Sequence, residues 1–175
     1  MPGFSLFILT TLLLLLLLLT ATHFSAASCP DGWQITPALD KCFIYIPTPL
    51  SWDRSEALCR NNFTAHLAAL SSLQDLNLAK SLCGPSPSGC WVGGHRNNTA
   101  SAFAWKWSDD SSSWNDTAFP ADPLRANCST TGCALATTND ACTLVTNTHA
   151  ALTAKRCSDS HGLICMINHG EYPFC

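Results

Sequence analysis

All eleven cysteines of the chain lie beyond an unbroken run of leucines, and no other feature constrains its fold as much. Residues 12–19 form the centre of an apolar stretch that starts near Phe4, and the small residues Ser25, Ala26, Ala27 and Ser28 come after it, just ahead of Cys29. An apolar core with a small-residue cleavage zone behind it is a secretory signal peptide, assigned here to residues 1–28. The alternative is an uncleaved apolar segment that anchors the chain in a membrane, but neither flank carries the Lys or Arg that would fix an orientation. The expected location is therefore secreted and extracellular. Disulfides persist there and replace part of the core that a small domain cannot build.

Beyond the leader the chain is the size of one domain, residues 29–168, with 169–175 as a short tail. Twelve Asp and Glu against nine Lys and Arg give a net charge of -3. No basic cluster marks a footprint for phosphate backbones, so nucleic acid is not an expected partner. Only 12% of residues are charged, yet Asn-x-Ser/Thr acceptor tripeptides occur at Asn62, Asn97, Asn115 and Asn127. N-glycans there would supply the missing surface hydration. Asn97 and Asn115 lead this set because both sit in polar, loop-like sequence, and Asn127 is the weakest, with Cys128 in its middle position.

Residues 32–35 and 41–46 are rich in aromatic and β-branched side chains and predict two strands, turned through Pro37 and Asp40. Ser51 opens a predicted helix to about Asn62, with Trp52, Ser55 and Cys59 on its inner face and Glu56 outward beside them. A second helix is signalled by Ser71 and Ser72, each followed three residues on by Gln74 or Asp75. Its expected apolar stripe is Leu73, Leu76, Ala79 and Leu82, and it ends near Gly84 and Pro85. Residues 90–94 are a short apolar segment, Trp105 and Trp107 alternate around Lys106 as in a half-buried strand, and 108–123 read as a long Ser-, Asp- and Pro-rich loop. Residues 142–146 and 162–167 predict the last strands.

In order, the run Cys29 to Trp33, the run Cys42 to Tyr45, Ser51 and Trp52, Glu56 to Cys59, His66 to Ala68, Trp91 to Gly94, Trp105 to Asp109, Cys142, Cys157, Ile164 and Cys165 form a series of landmarks. That series resembles the C-type lectin-like domain, closest in style to the ectodomain of plant C-type lectin receptor-like kinases. The resemblance implies an α+β fold of two helices and two small antiparallel sheets with a long loop region where ligands bind. It also implies the bonds Cys59 with Cys165, Cys142 with Cys157 and Cys29 with Cys42. Of the cysteines left over, Cys83 and Cys90 flank one short segment and Cys128 and Cys133 another, so two local loops close naturally. Cys175 remains without a partner in that scheme and is expected to link two copies of the chain.

The family's calcium and sugar motif is a Trp-Asn-Asp string just before the third cysteine of its core set. Here that string is Trp114, Asn115 and Asp116, far upstream of that place, and Leu152, Thr153 and Ala154 stand before Cys157 instead. The partner motif is matched only by Phe119, Pro120 and Ala121, which offer no side-chain oxygen. Calcium needs about six to eight oxygen ligands. The loop offers mainly Asp116, Asp122 and backbone groups, so calcium is disfavoured as a ligand and no metal or other cofactor is expected. Sugar would be held by stacking on Trp114 and Phe119 with Asn115, Asp116 and Asp122 as polar neighbours. Trp91, Trp105 and Trp107 are assigned to the core, because large aromatics mostly serve burial.

No hydrolase elbow, phosphate loop or paired-histidine metal motif occurs, and Asp109 with Asp110 reads as a solvated turn rather than an acid–base pair. The expected function is a secreted, non-catalytic recognition module for a carbohydrate or glycoprotein. The alternative is the protein-binding ectodomain of a truncated receptor-like kinase, and a disulfide-rich defence or inhibitor protein is a third reading.

Overall fold

The computed structural model describes residues 28–38, 40–84, 88–97, 104–110, 141–147 and 152–169. The leader, Trp114, Asn115, Asp116, Phe119, Asp122, Asn127, Cys128, Cys133 and Cys175 lie outside the described residues. In chain order the elements are β1 (Gln34–Ile35), β2 (Lys41–Leu50), α1 (Trp52–Phe63), β3 (His66–Leu67), α2 (Leu73–Cys83), β4 (Cys90–Asn97), β5 (Ala104–Trp107), β6 (Cys142–Val145), β7 (Thr153–Lys155) and β8 (His161–Asn168).

β1, β2, β8 and β3 form one antiparallel ladder, and β5, β4, β6 and β7 form another. The two small sheets implied by the sequence are thus present, but a short parallel pairing of Cys90 and Trp91 with Gly162 and Leu163 joins them. The result is one mixed eight-stranded sheet.

β8 is apolar at successive positions because both its faces are covered. Leu163, Cys165 and Ile167 belong to one buried cluster with Trp52, Cys59, Leu67, Trp91 and Leu144. Ile164 and Met166 belong to the other, with Leu70, Leu76, Ala79, Val92 and Trp107. Side chains alternate across a strand, so α1 and α2 cover opposite faces of the sheet.

Two tryptophans tie the layers together. The Trp52 indole N–H, on the first residue of α1, donates to the Val92 carbonyl at 2.8 Å, and the Trp91 indole N–H donates to the Leu50 carbonyl at 2.9 Å. Each buried ring thereby keeps its polar handle satisfied. Gly93 is required beside them. Its N–H donates to Ala68 at 2.9 Å, and a Cβ there would lie 2.7 Å from the Leu67 oxygen and 2.8 Å from Ser108 Oγ.

Both predicted helices form, with caps at Ser51 and Ser72. Ser72 Oγ accepts the Asp75 N–H, and Asp75 reaches back to accept the Ser71 N–H at 2.8 Å and the Ser71 hydroxyl at 2.9 Å. This is a capping-box arrangement displaced by one residue. The apolar stripe of α2 differs from the expected one: Leu76, Ala79 and Cys83 are buried, whereas Leu73 is 59% exposed. The inward position in the first turn belongs to Asp75, held there by Lys41 and Ser71.

Glu56 is likewise not turned outward. Its carboxylate accepts the Leu67 N–H at 2.8 Å and meets His66 Nδ1 at 2.6 Å, pinning β3 to α1. Four disulfides are present among the described residues: Cys29–Cys42, Cys59–Cys165, Cys83–Cys90 and Cys142–Cys157.

Candidate recognition site

The segment that leaves β5 and returns into β6 stands on a defined base. Trp107 is paired with Gly94, and Cys142 with His95, on opposite edges of β4. The two feet of the segment therefore rest beside adjacent residues of one central strand, about 10 Å apart at two strand spacings. On the outgoing side the Ser108 N–H donates to the Gly93 carbonyl at 2.9 Å, and the Asp110 N–H to Trp107 at 3.3 Å. Asp109 and Asp110 sit in that turn, as their sequence context predicts. On the returning side Ala141 accepts the Arg96 N–H at 3.0 Å, and Thr143 Oγ1 donates to the Gly94 carbonyl at 3.1 Å. The candidate ligand residues Trp114, Asn115, Asp116, Phe119 and Asp122 all belong to the segment this base carries, and their placement lies outside the described residues.

Residues 152–154 hold the place where the family puts its calcium-binding string, and their surroundings are fully described. Leu152, Thr153 and Ala154 are buried, and Thr153 and Ala154 pair with Leu144 and Thr143 as part of β7. Three apolar or hydroxyl side chains in a closed ladder offer no carboxylate to the surface. β7 itself has no signature in the sequence, because a three-residue Thr-Ala-Lys strand leaves too few alternations to register.

Trp105 departs from its expected place in the core. Trp91 and Trp107 are fully buried, but Trp105 is only half-buried and packs on Ala141 and Ala154, at the foot of the long segment. It is opposite Arg96 across the β4–β5 ladder. The signal lies in its position: Trp107 faces the closed middle of the sheet, while Trp105 lies two residues nearer the strand's open end. A half-buried ring beside an Arg is a surface of the type sugars stack on.

A concavity of about 390 Å³ lies at the start of α1, lined by Ser51, Asp53, Arg54, Ser158 and Ser160 over Leu50. Among the described residues no group of three or more His, Cys, Asp or Glu side chains converges as a metal site would.

The buried His161 has a clearly displaced proton affinity. Burial lowers its pKa from the ordinary 6.5; the Ser88 backbone and Asp159 oppose that shift and Lys155 adds to it. Its ring meets Trp91 edge-on at 4.7 Å. A lowered folded-state value means that the unfolded chain binds the proton more readily. The contribution of neutral His161 is therefore complete above pH 6.5 and is lost progressively as pH falls towards the folded value. Urea melts between pH 7.5 and 5 should show declining stability over that window, and His161→Gln should flatten the decline. An unchanged slope in the variant assigns the loss to other groups.

The two covered faces, the disulfide framework and the long segment mounted on β4 define a C-type lectin-like recognition domain. Residues 48–167 match the Lectin C-type domain family, and the chain belongs to that family. It is 36% identical over 143 residues to a C-type lectin receptor-like tyrosine-protein kinase of Arabidopsis thaliana, an alignment covering 81% of this chain and 26% of that kinase. The chain spans about a fifth to a third of the length of that kinase and of the next curated relatives it matches.

Among solved structures, a calcium-independent type II antifreeze protein superimposes with a TM-score of 0.57 and 27% identity, covering 83% of this chain and 98% of its own. The C-type lectin domain of murine dendritic cell inhibitory receptor 2, solved with an N-glycan, superimposes with a TM-score of 0.60 over 81% of this chain and 99% of its own. At 20% identity it supports the fold alone. C-type lectin domains are in general recognition modules for glycans or proteins rather than catalysts. No helix among the described residues is long and apolar enough to cross a membrane.

Proposed function

We propose that this chain is a secreted recognition module that binds a carbohydrate or glycoprotein through the segment between β5 and β6, without the family's usual calcium site. The observation that carries the calcium part is the burial of Leu152, Thr153 and Ala154 in the β6–β7 ladder, where ligating carboxylates would otherwise stand. The antifreeze protein of this fold that is described as calcium-independent supports the same reading. Binding then rests on ring stacking and on amide and hydroxyl hydrogen bonds. Trp114 and Phe119 supply the rings, Asn115, Asp116 and Asp122 the polar groups, and Trp105 adds a ring at the base. The second reading, a ligand-binding ectodomain of a receptor-like kinase with a protein ligand, is favoured by the 36% identity to the Arabidopsis kinase.

A glycan array read with and without chelator separates the possibilities. Binding that persists in chelator and weakens in Trp114→Ala and Trp105→Ala is the expected result, and binding to protein ligands alone favours the second reading. Thermal melts give a ligand-free check. A calcium site filled at 100 times its Kd would add about 2.7 kcal/mol, or roughly 5–10 °C for a domain of this size. Melts in millimolar calcium and in chelator should nearly coincide; a shift of that magnitude makes Asp116 or Asp122 a ligand.

A further inference from the structure

Thr64 ends α1 in the left-handed region, at φ 51° and ψ 41°. A β-branched residue is strained there, and Gly or Asn is the unstrained choice at such a cap. The cap itself uses only backbone groups: the Thr64 N–H donates to the Arg60 carbonyl at 3.2 Å and the Ala65 N–H to the Cys59 carbonyl at 3.1 Å. The side chain is exposed, so the fold does not account for a threonine at this place. The tripeptide does account for it: Thr64 is the hydroxyl residue of Asn62-Phe63-Thr64. Strain held at a position whose backbone role another residue would serve better points to a function for the side chain.

Asn62 is equally well placed. It is the penultimate residue of α1 and is exposed, although it lies only three residues past the buried Cys59 and seven past the buried Ser55. Phe63 between them is half-buried and packs edge-on against Trp33, with ring centroids 5.7 Å apart. Asn97, by contrast, does not lie in the loop its sequence suggested: it is the last residue of β4, in register with Ala104.

We propose that Asn62 is an N-glycan acceptor and that its glycan screens the aromatic surface of Trp33 and Phe63. The proposal rests on entry of the chain into the secretory lumen and is independent of what the long segment binds. In the transfer, Asn62 Nδ2 forms a bond to the anomeric carbon of a lipid-pyrophosphate-linked oligosaccharide. The anomeric C–O bond breaks, its electron pair leaves with the lipid pyrophosphate, and Nδ2 gives up one proton to a base of the transferase.

The test is expression of the full chain in a eukaryotic secretory host, with peptide mapping after glycosidase treatment. The expected result is a glycan mapped to Asn62, lost in Asn62→Gln and in Thr64→Asn, and retained in Thr64→Ser. Thr64→Asn also relieves the backbone, so after deglycosylation of both proteins its melting temperature should equal or exceed that of the parent. Exported chain with Asn62 unmodified overturns the assignment. A chain that never enters the lumen overturns it together with the leader. A Thr64→Asn variant that melts well below the deglycosylated parent overturns the argument from strain, because the threonine is then structural.

Discussion

Replacing Cys59 and Cys165 together by alanine should cost about 4.7 kcal/mol of unfolding free energy from loop closure alone. Their bond closes a sequence separation of 106 residues, against 13 for Cys29–Cys42, 15 for Cys142–Cys157 and 7 for Cys83–Cys90. In the chain-entropy account the 13- and 15-residue bonds are worth about 3 kcal/mol each and the 7-residue bond about 2. The long bond also links the middle of α1 to β8, and both its sulfurs are fully buried among Trp91, Leu67 and Leu163, so its removal opens a cavity as well. Single domains have about 5–15 kcal/mol in total. Guanidinium titration of the double-alanine variants of the Cys59, Cys142 and Cys83 bonds should therefore rank them by loop length, with the Cys59/Cys165 variant far below the rest. Equal losses for all three would show that local packing around each sulfur, rather than chain entropy, sets the contribution.

The ordered landmarks in the sequence carried much of this architecture because each marks a local physical event. Ser51 and Ser72 precede periodic apolar residues and stand at the N-cap positions of the two helices, Ser72 with a side-chain cap, and Trp91 to Gly94 mark the strand where two ladders meet over a glycine that admits no side chain. What escaped depended on contacts distant in sequence. Asp75 displaces Leu73 from the inner face of α2 because Lys41, 34 residues earlier, waits there for a carboxylate. Glu56 turns inward because the Leu67 N–H and His66 need its oxygens. Trp105 and Trp107 share one strand face and the same periodicity, and only the position of neighbouring strands leaves the first half-open. The candidate ligand residues of the long segment rest on motif likeness alone, and a motif displaced from its usual place carries no geometry of its own.

The buried pair that displaced Leu73 gives the second large effect. Lys41 Nζ donates to the Ala69 carbonyl at 3.1 Å and to Ser71 Oγ at 2.9 Å, and lies 3.4 Å from Asp75 Oδ2. The side chains are 10% and 2% exposed, so neither charge can turn to water when its partner is removed. Removing one partner of such a pair typically costs about 3–5 kcal/mol, whereas replacing both by apolar groups is often close to neutral. Lys41→Met should fall at the lower end of that range, because Asp75 keeps its hydrogen bonds from the Ser71 N–H and hydroxyl. Asp75→Leu should fall higher, since it strands the ammonium and also removes the carboxylate that accepts the Ser71 N–H and hydroxyl, while the Ser72 cap on the residue 75 N–H stays. The double variant should recover the charge penalty but not those two hydrogen bonds, leaving a residual of about 1 kcal/mol. A double-mutant cycle by urea denaturation reads this directly. Strictly additive losses would mean that the 3.4 Å contact carries no coupling, and that Lys41 is held by Ala69 and Ser71 alone.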